Sequence, residues 1–68
     1  MTFQKFLKRV ERQKTQNPGL RYGQVLVHEL EEYRPLLAAK IRESCYYLEK
    51  GDHMTEIVNK LEGEWNDE

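Results

Sequence analysis

Only one cysteine stands in this chain, Cys45 among 68 residues. No disulfide can form within one molecule. That fits a reducing, cytoplasmic setting. Histidine is nearly as scarce, with His28 and His53 far apart. A structural zinc site usually takes four ligands. The run His28-Glu29-Leu30-Glu31-Glu32 lacks the second histidine of a His-Glu-x-x-His zinc motif. No metal or other cofactor is expected. The four glycines form no phosphate-cradling loop. No apolar run approaches the roughly 20 residues that cross a bilayer. Met1-Thr2-Phe3-Gln4-Lys5-Phe6 lacks the unbroken apolar stretch of a secretory leader. The expectation is a soluble, cytoplasmic protein with no membrane partner.

These shortages also bear on catalysis. Cys45 could serve as a nucleophile only beside a base. Its neighbours Ser44 and Tyr46 do not provide one. Carboxylates are plentiful, but a chain of 68 residues has little volume for a substrate cleft. The chain reads as a protein that is not an enzyme.

What is present is charge, unevenly laid out. Charged residues make up 34% of the chain and hydrophobic ones 38%. Residues 1–22 hold six cations against Glu11 alone, a net charge of +5. Residues 23–68 hold five cations against eleven acids, a net charge of −6. A basic head thus precedes an acidic body. Such a split suits an anionic partner for the head. It equally suits attraction between head and body, within one chain or between two.

Apolar spacing follows the helical period. The pattern predicts one helical domain over residues 1–68, an all-α bundle of three to four short helices. The first helix covers about 3–15. Thr2 is its N-cap, and Phe3, Phe6, Leu7 and Val10 form its inward stripe. Asn17-Pro18-Gly19 predicts a type II turn, with positive φ at Gly19. The second helix covers 24–33, capped by Gly23, with Tyr22 and Val27 placed as a hydrophobic staple. Pro35 removes a backbone donor and opens a third helix over 35–49. The alternative is one kinked helix, because Leu26, Leu30, Tyr33, Leu37, Ile41, Cys45 and Leu48 run as one stripe through Pro35. Lys50-Gly51-Asp52 reads as a C-cap followed by a new N-cap. The fourth helix covers 53–62. Its stripe is Met54, Ile57, Val58, Leu61 and Trp65, and Gly63 ends it, with Trp65 tucked back against the body or, alternatively, left exposed with Met54 for a partner.

One segment resembles a group of small phage and bacterial proteins. It comprises Asn17-Pro18-Gly19-Leu20-Arg21-Tyr22-Gly23-Gln24, Leu30, Tyr33-Arg34-Pro35-Leu36-Leu37-Ala38 and Ile41-Arg42. The group shows an Arg-x-Gly-Gln step, a helix, and an Arg-Pro-x-Leu-Ala step. The match covers about the middle third of the chain and departs after Arg42, where Glu43-Ser44-Cys45-Tyr46-Tyr47 follows. The resemblance implies a phage or bacterial setting.

Two binding surfaces follow from the residues. The first takes another protein, a host factor or a second copy. Its residues are Arg21 and Gln24 at a helix start, the adjacent Tyr46 and Tyr47, and Trp65 at the end of the last stripe. Tyr, Trp and Arg are the side chains most enriched at binding hot spots. Adjacent helical residues point about 100° apart, so at least one of the two tyrosines must leave the core. The second surface is the basic face of the first helix: Lys5, Lys8, Arg9 and Arg12. Phosphate contact by such a face would make a nucleic-acid-associated protein. Glu29, Glu31, Glu32 and Glu43 on the following helices repel phosphate and weigh against it. The leading reading is a helical protein-interaction module, in concrete form a phage accessory protein that modulates a host protein.

Overall fold

The computed structural model describes residues 1–49, 51 and 54–65. They form four helices and no strand: α1 (Phe3–Gln16), α2 (Tyr22–Tyr33), α3 (Pro35–Cys45) and α4 (Met54–Glu64). The radius of gyration is 10.8 Å, matching the roughly 11 Å of a compact chain this long. None of these helices is long and apolar enough to cross a membrane.

α1 starts where expected. The Thr2 hydroxyl accepts from the Lys5 amide at 3.2 Å, satisfying one of the donors a helix start leaves open. Phe3, Phe6 and Val10 are buried and Leu7 is half-buried. The helix stops at Asn17, whose amide donates to the carbonyls of Gln13 and Lys14. The Leu20 amide then donates to Asn17 O at 3.0 Å and closes the turn. Gly51 is the glycine with positive φ, so Gly19 does not take the left-handed conformation of a type II turn.

α2 begins two residues earlier than the pattern predicts. Arg21, not Gly23, is its N-cap, and the Gln24 side chain accepts from the Arg21 amide at 2.9 Å. Tyr22 and Val27 therefore do not hold the staple positions. Gly23 is needed inside the first turn for another reason. A Cβ there would sit 1.7 Å from the Cys45 carbonyl oxygen. Its amide donates to Leu48 O at 2.9 Å. Only a residue without a side chain lets the start of α2 lie against the end of α3.

The chain breaks into two helices at Pro35. Arg34 takes φ −145°, ψ 72°, outside the helical region, as the residue before proline prefers. Pro35 occupies the first turn of α3. That helix ends at Cys45, four residues short of the predicted Glu49. The Leu48 amide donates back to Cys45 O at 3.0 Å, closing a turn over Tyr46 and Tyr47. The turn aims the carbonyls of Tyr47 and Leu48 at Arg21 and Gly23. A longer helix would keep them for itself.

Gly51 has φ +109°, where glycine is at ease. Lys50, Asp52 and His53, with the predicted caps and helix start, lie outside the described residues. α4 continues through Gly63 to Glu64, so Gly63 does not end it. The ring of Trp65, just beyond, is anchored on α1 and holds the final turn in place.

α2 lies at the centre, packed broadly against α3 and also against α1, while α4 closes on α3. Phe6, Val10, Leu26, Val27, Leu30, Cys45 and Leu61 are fully buried in the shared core. The stripe through Pro35 serves both helices, with Leu26, Leu30, Ile41 and Cys45 buried and Tyr33, Leu37 and Leu48 packed against them.

Candidate functional site

Four of the five residues expected to bind a partner meet at one end of the bundle. The Arg21 guanidinium reaches past its own helix and donates from Nη1 to Tyr47 O at 2.8 Å. Its Nε stands 3.7 Å from Glu49 Oε1. Gln24 holds the backbone of Arg21. Tyr46 and Tyr47 meet edge to face at 5.1 Å, and Tyr47 is 70% exposed. One tyrosine leaves the core, as adjacency on a helix demands. Arg21 and Gln24 thus brace the platform from which Tyr47 projects.

His28 joins this end, although the residue pattern did not place it there. Its ring lies edge-on to Tyr46 at 5.8 Å, and its Nε2 shares a 3.3 Å hydrogen bond with the Tyr46 hydroxyl. Its partner is therefore Tyr46, across the α2–α3 contact. Arg42 also belongs here, with its guanidinium 5.1 Å over the Tyr46 ring and Nη1 donating to Glu31 Oε2 at 3.1 Å. The signal for both was available: His28 and Glu31 share the outward face of α2. What the sequence could not tell was which face of α3 they would meet. The result is an exposed aromatic patch with two guanidiniums and two carboxylates around it.

Trp65 is elsewhere and is not exposed. It is 6% accessible and packs at 5.4 Å from Phe3 and 4.9 Å from Phe6. Its indole N–H donates to Met1 O at 3.1 Å, and the Arg34 guanidinium covers its ring at 4.5 Å. An aromatic ring so enclosed is a core anchor and offers little surface to a partner.

The basic face of α1 divides in two. Arg9 is occupied: its Nε lies 3.4 Å from Glu29 Oε2, and its guanidinium lies 5.4 Å over Tyr33. Glu29 is 8% exposed, so this pair satisfies a carboxylate that would otherwise be buried alone. Lys5, Lys8 and Arg12 are exposed, and among the described residues no carboxylate pairs with them. Part of the head is thus spent on the body, and part faces outward.

No described cluster of His, Cys, Asp and Glu could hold a metal. Cys45 is fully buried, and burial pushes its thiol up to about 11. A neutral, enclosed thiol is a poor nucleophile. Burial, and then the charge of Glu11, push the Tyr22 hydroxyl up to about 12. Glu64 lies in a groove of about 330 Å³ between α3 and α4, with Lys40, Ser44, Glu56 and Lys60. Its Oε1 accepts from Lys40 Nζ at 2.7 Å, and chiefly this bond lowers its carboxyl from the ordinary value. The groove's charges largely answer one another. Comparison with protein-family models, curated proteins and solved structures finds no match to this chain.

Proposed function

We propose that the chain is a non-enzymatic helical module that works by binding another protein, through the patch formed by Tyr46, Tyr47, His28, Arg21 and Arg42. One observation carries the reading. Tyr47 is 70% exposed, yet it stands on a backbone clamped by Arg21 and Gly23. A large ring held out from a fixed backbone loses little further freedom on binding, and aromatic and Arg side chains are the usual anchors of interfaces. The resemblance of residues 17–42 supports a phage accessory protein that modulates a host protein in the host cytoplasm. Capture from bacterial lysate tests this with wild type and Tyr47→Ala, a substitution that leaves the core untouched. The expected result is a specific partner retained by wild type and lost by Tyr47→Ala. Equal retention by both would remove the patch.

A second reading rests on Lys5, Lys8 and Arg12, three exposed cations on one face of α1. They suit the phosphates of a nucleic acid, with Arg9 largely committed to Glu29. A mobility-shift assay at low salt tests it, where phosphate contacts are strongest. Binding lost on changing all three to Ala would favour it, and no binding by wild type would dismiss it.

A further inference from the structure

The outward face of α3 carries a pattern that the core does not use. Leu36 is 83% exposed and Tyr47 is 70% exposed. They are two of the three large hydrophobic side chains exposed among the described residues. Tyr46, which caps α3, keeps helical dihedrals of φ −55°, ψ −37°, so the backbone follows the helical path one step past Cys45 to Tyr47. Between them lie Lys40 and Glu43, both exposed. The spacing Leu36, Lys40, Glu43, Tyr47 is i, i+4, i+7, i+11, one continuous stripe on an α-helix. This stripe faces solvent.

Its order is self-complementary. An apolar residue stands at each end, with a cation and an anion between. When two such stripes run antiparallel about a two-fold axis, Leu36 of each lies level with Tyr47 of the other, and each Lys40 lies level with the other's Glu43. An isologous contact requires that each residue meet a suitable mate when the surface is laid on itself. All four positions meet that requirement in one register. Shifting the register by a turn would set Leu36 against Glu43 and leave a lysine beside a lysine.

We infer that the solvent face of α3 is a homodimer surface, its occupant the α3 of a second copy in antiparallel orientation. The inference rests on the reading of the chain as a protein-binding module and names one partner, the chain itself. The stripe is about 18 Å long at 1.5 Å per residue. A contact of that size falls among the small, weak interfaces. Lys40 already donates to Glu64 at 2.7 Å but remains 61% exposed at its side chain. Its ammonium has donors left for a second carboxylate.

Sedimentation of the full chain from about 10 μM to about 1 mM, where weak contacts assemble, tests the inference. Wild type should shift from monomer to dimer. Leu36→Glu should abolish the shift. Lys40→Glu alone, and Glu43→Lys alone, should each weaken dimerisation by roughly tenfold or more, because two-fold symmetry makes each substitution act twice. Mixed in equal amounts, these two variants should dimerise again as a heterodimer, since both cross-pairs are then opposite in charge. Recovery on mixing cannot arise from misfolding of either variant. A wild type that stays monomeric throughout overturns the inference, as does unchanged dimerisation of Leu36→Glu or failure of the mixture to recover. The outcome stays separable from the proposed function. Leu36→Glu leaves Arg21, Tyr46 and Tyr47 intact, so its capture of a lysate partner reports on that patch alone.

Discussion

At Gly23 two backbones meet with no room for a side chain. The position reads in sequence as a helix start, where glycine is tolerated. In the fold its role is close approach: any Cβ would overlap the Cys45 carbonyl, 1.7 Å away. Gly23→Ala must separate α2 from α3 or tilt one of them, losing the bond from the Gly23 amide to Leu48 O as well. Overpacking of this kind costs roughly 2–3 kcal/mol. A core of this size supplies about 3–5 kcal/mol in all. Gly23→Ala should therefore keep only about 1–2 kcal/mol of stability, and its urea midpoint should fall to less than half that of wild type, whereas Gly63→Ala, which meets open space, should be as stable as wild type or more so. A second effect at this scale concerns pH. Burial raises Cys45 to about 11 and Tyr22 to about 12, so both hold their protons longer folded than unfolded. Stability from these groups is complete below their unfolded values of about 9 and 10 and is lost as pH climbs through the folded values. Thermal melts should fall between about pH 9 and pH 12. Tyr22→Phe should flatten the upper part of that decline, and an identical slope in the variant would assign it to other groups.

The helices themselves were largely readable from apolar spacing and from Thr2 and Pro35. α1 matches its predicted span to one residue, and the break at Pro35 falls where the missing amide requires it. Two boundaries escaped for a common reason. α2 starts early and α3 stops early because Arg21 and Gly23 donate hydrogen bonds to carbonyls of the turn at 46–48. That contact joins residues about 25 positions apart, and no local window sees it. The platform under Tyr47 was half-readable in the same sense: the residue types were visible, while the pairing of His28 with Tyr46 depends on how α2 meets α3. Trp65 shows the opposite case, where the amphipathic stripe of α4 was clear and its burial decides between core and surface. It ties the end of α4 to Phe3 and Phe6 on α1, two elements otherwise far apart in the chain. Trp65→Ala should remove about 3 kcal/mol or more and fray α4 and α1 together. Circular dichroism should register that as lost helicity at low temperature. Full helicity with an unchanged melting point would mean that the ring is not the clamp.

Across the whole molecule, the basic head and acidic body are partly matched to each other. Arg9 meets Glu29 and Arg21 meets Glu49, each pair joining the first 22 residues to the rest. The two pairs should respond differently to salt. Arg21 and Glu49 are both more than half exposed at their side chains, so screening should weaken them along with the general attraction between a +5 head and a −6 body. Glu29 is 8% exposed, so its contact with the partly exposed Arg9 is screened less than a surface pair. Raising sodium chloride from about 10 mM to about 500 mM shortens the screening length from roughly 30 Å to under 5 Å. That should lower unfolding free energy by roughly 0.5–1 kcal/mol, the scale of exposed pairs. Arg9→Met should cost about 1–2 kcal/mol, less than for a fully buried pair because the arginine is 40% exposed at its side chain. The increment should be nearly the same at both salt concentrations, because what it measures is a carboxylate left enclosed without its partner. Should wild type gain stability with salt instead, the head and body do not hold each other, and all of the outward positive charge on α1 is left for a partner to neutralise.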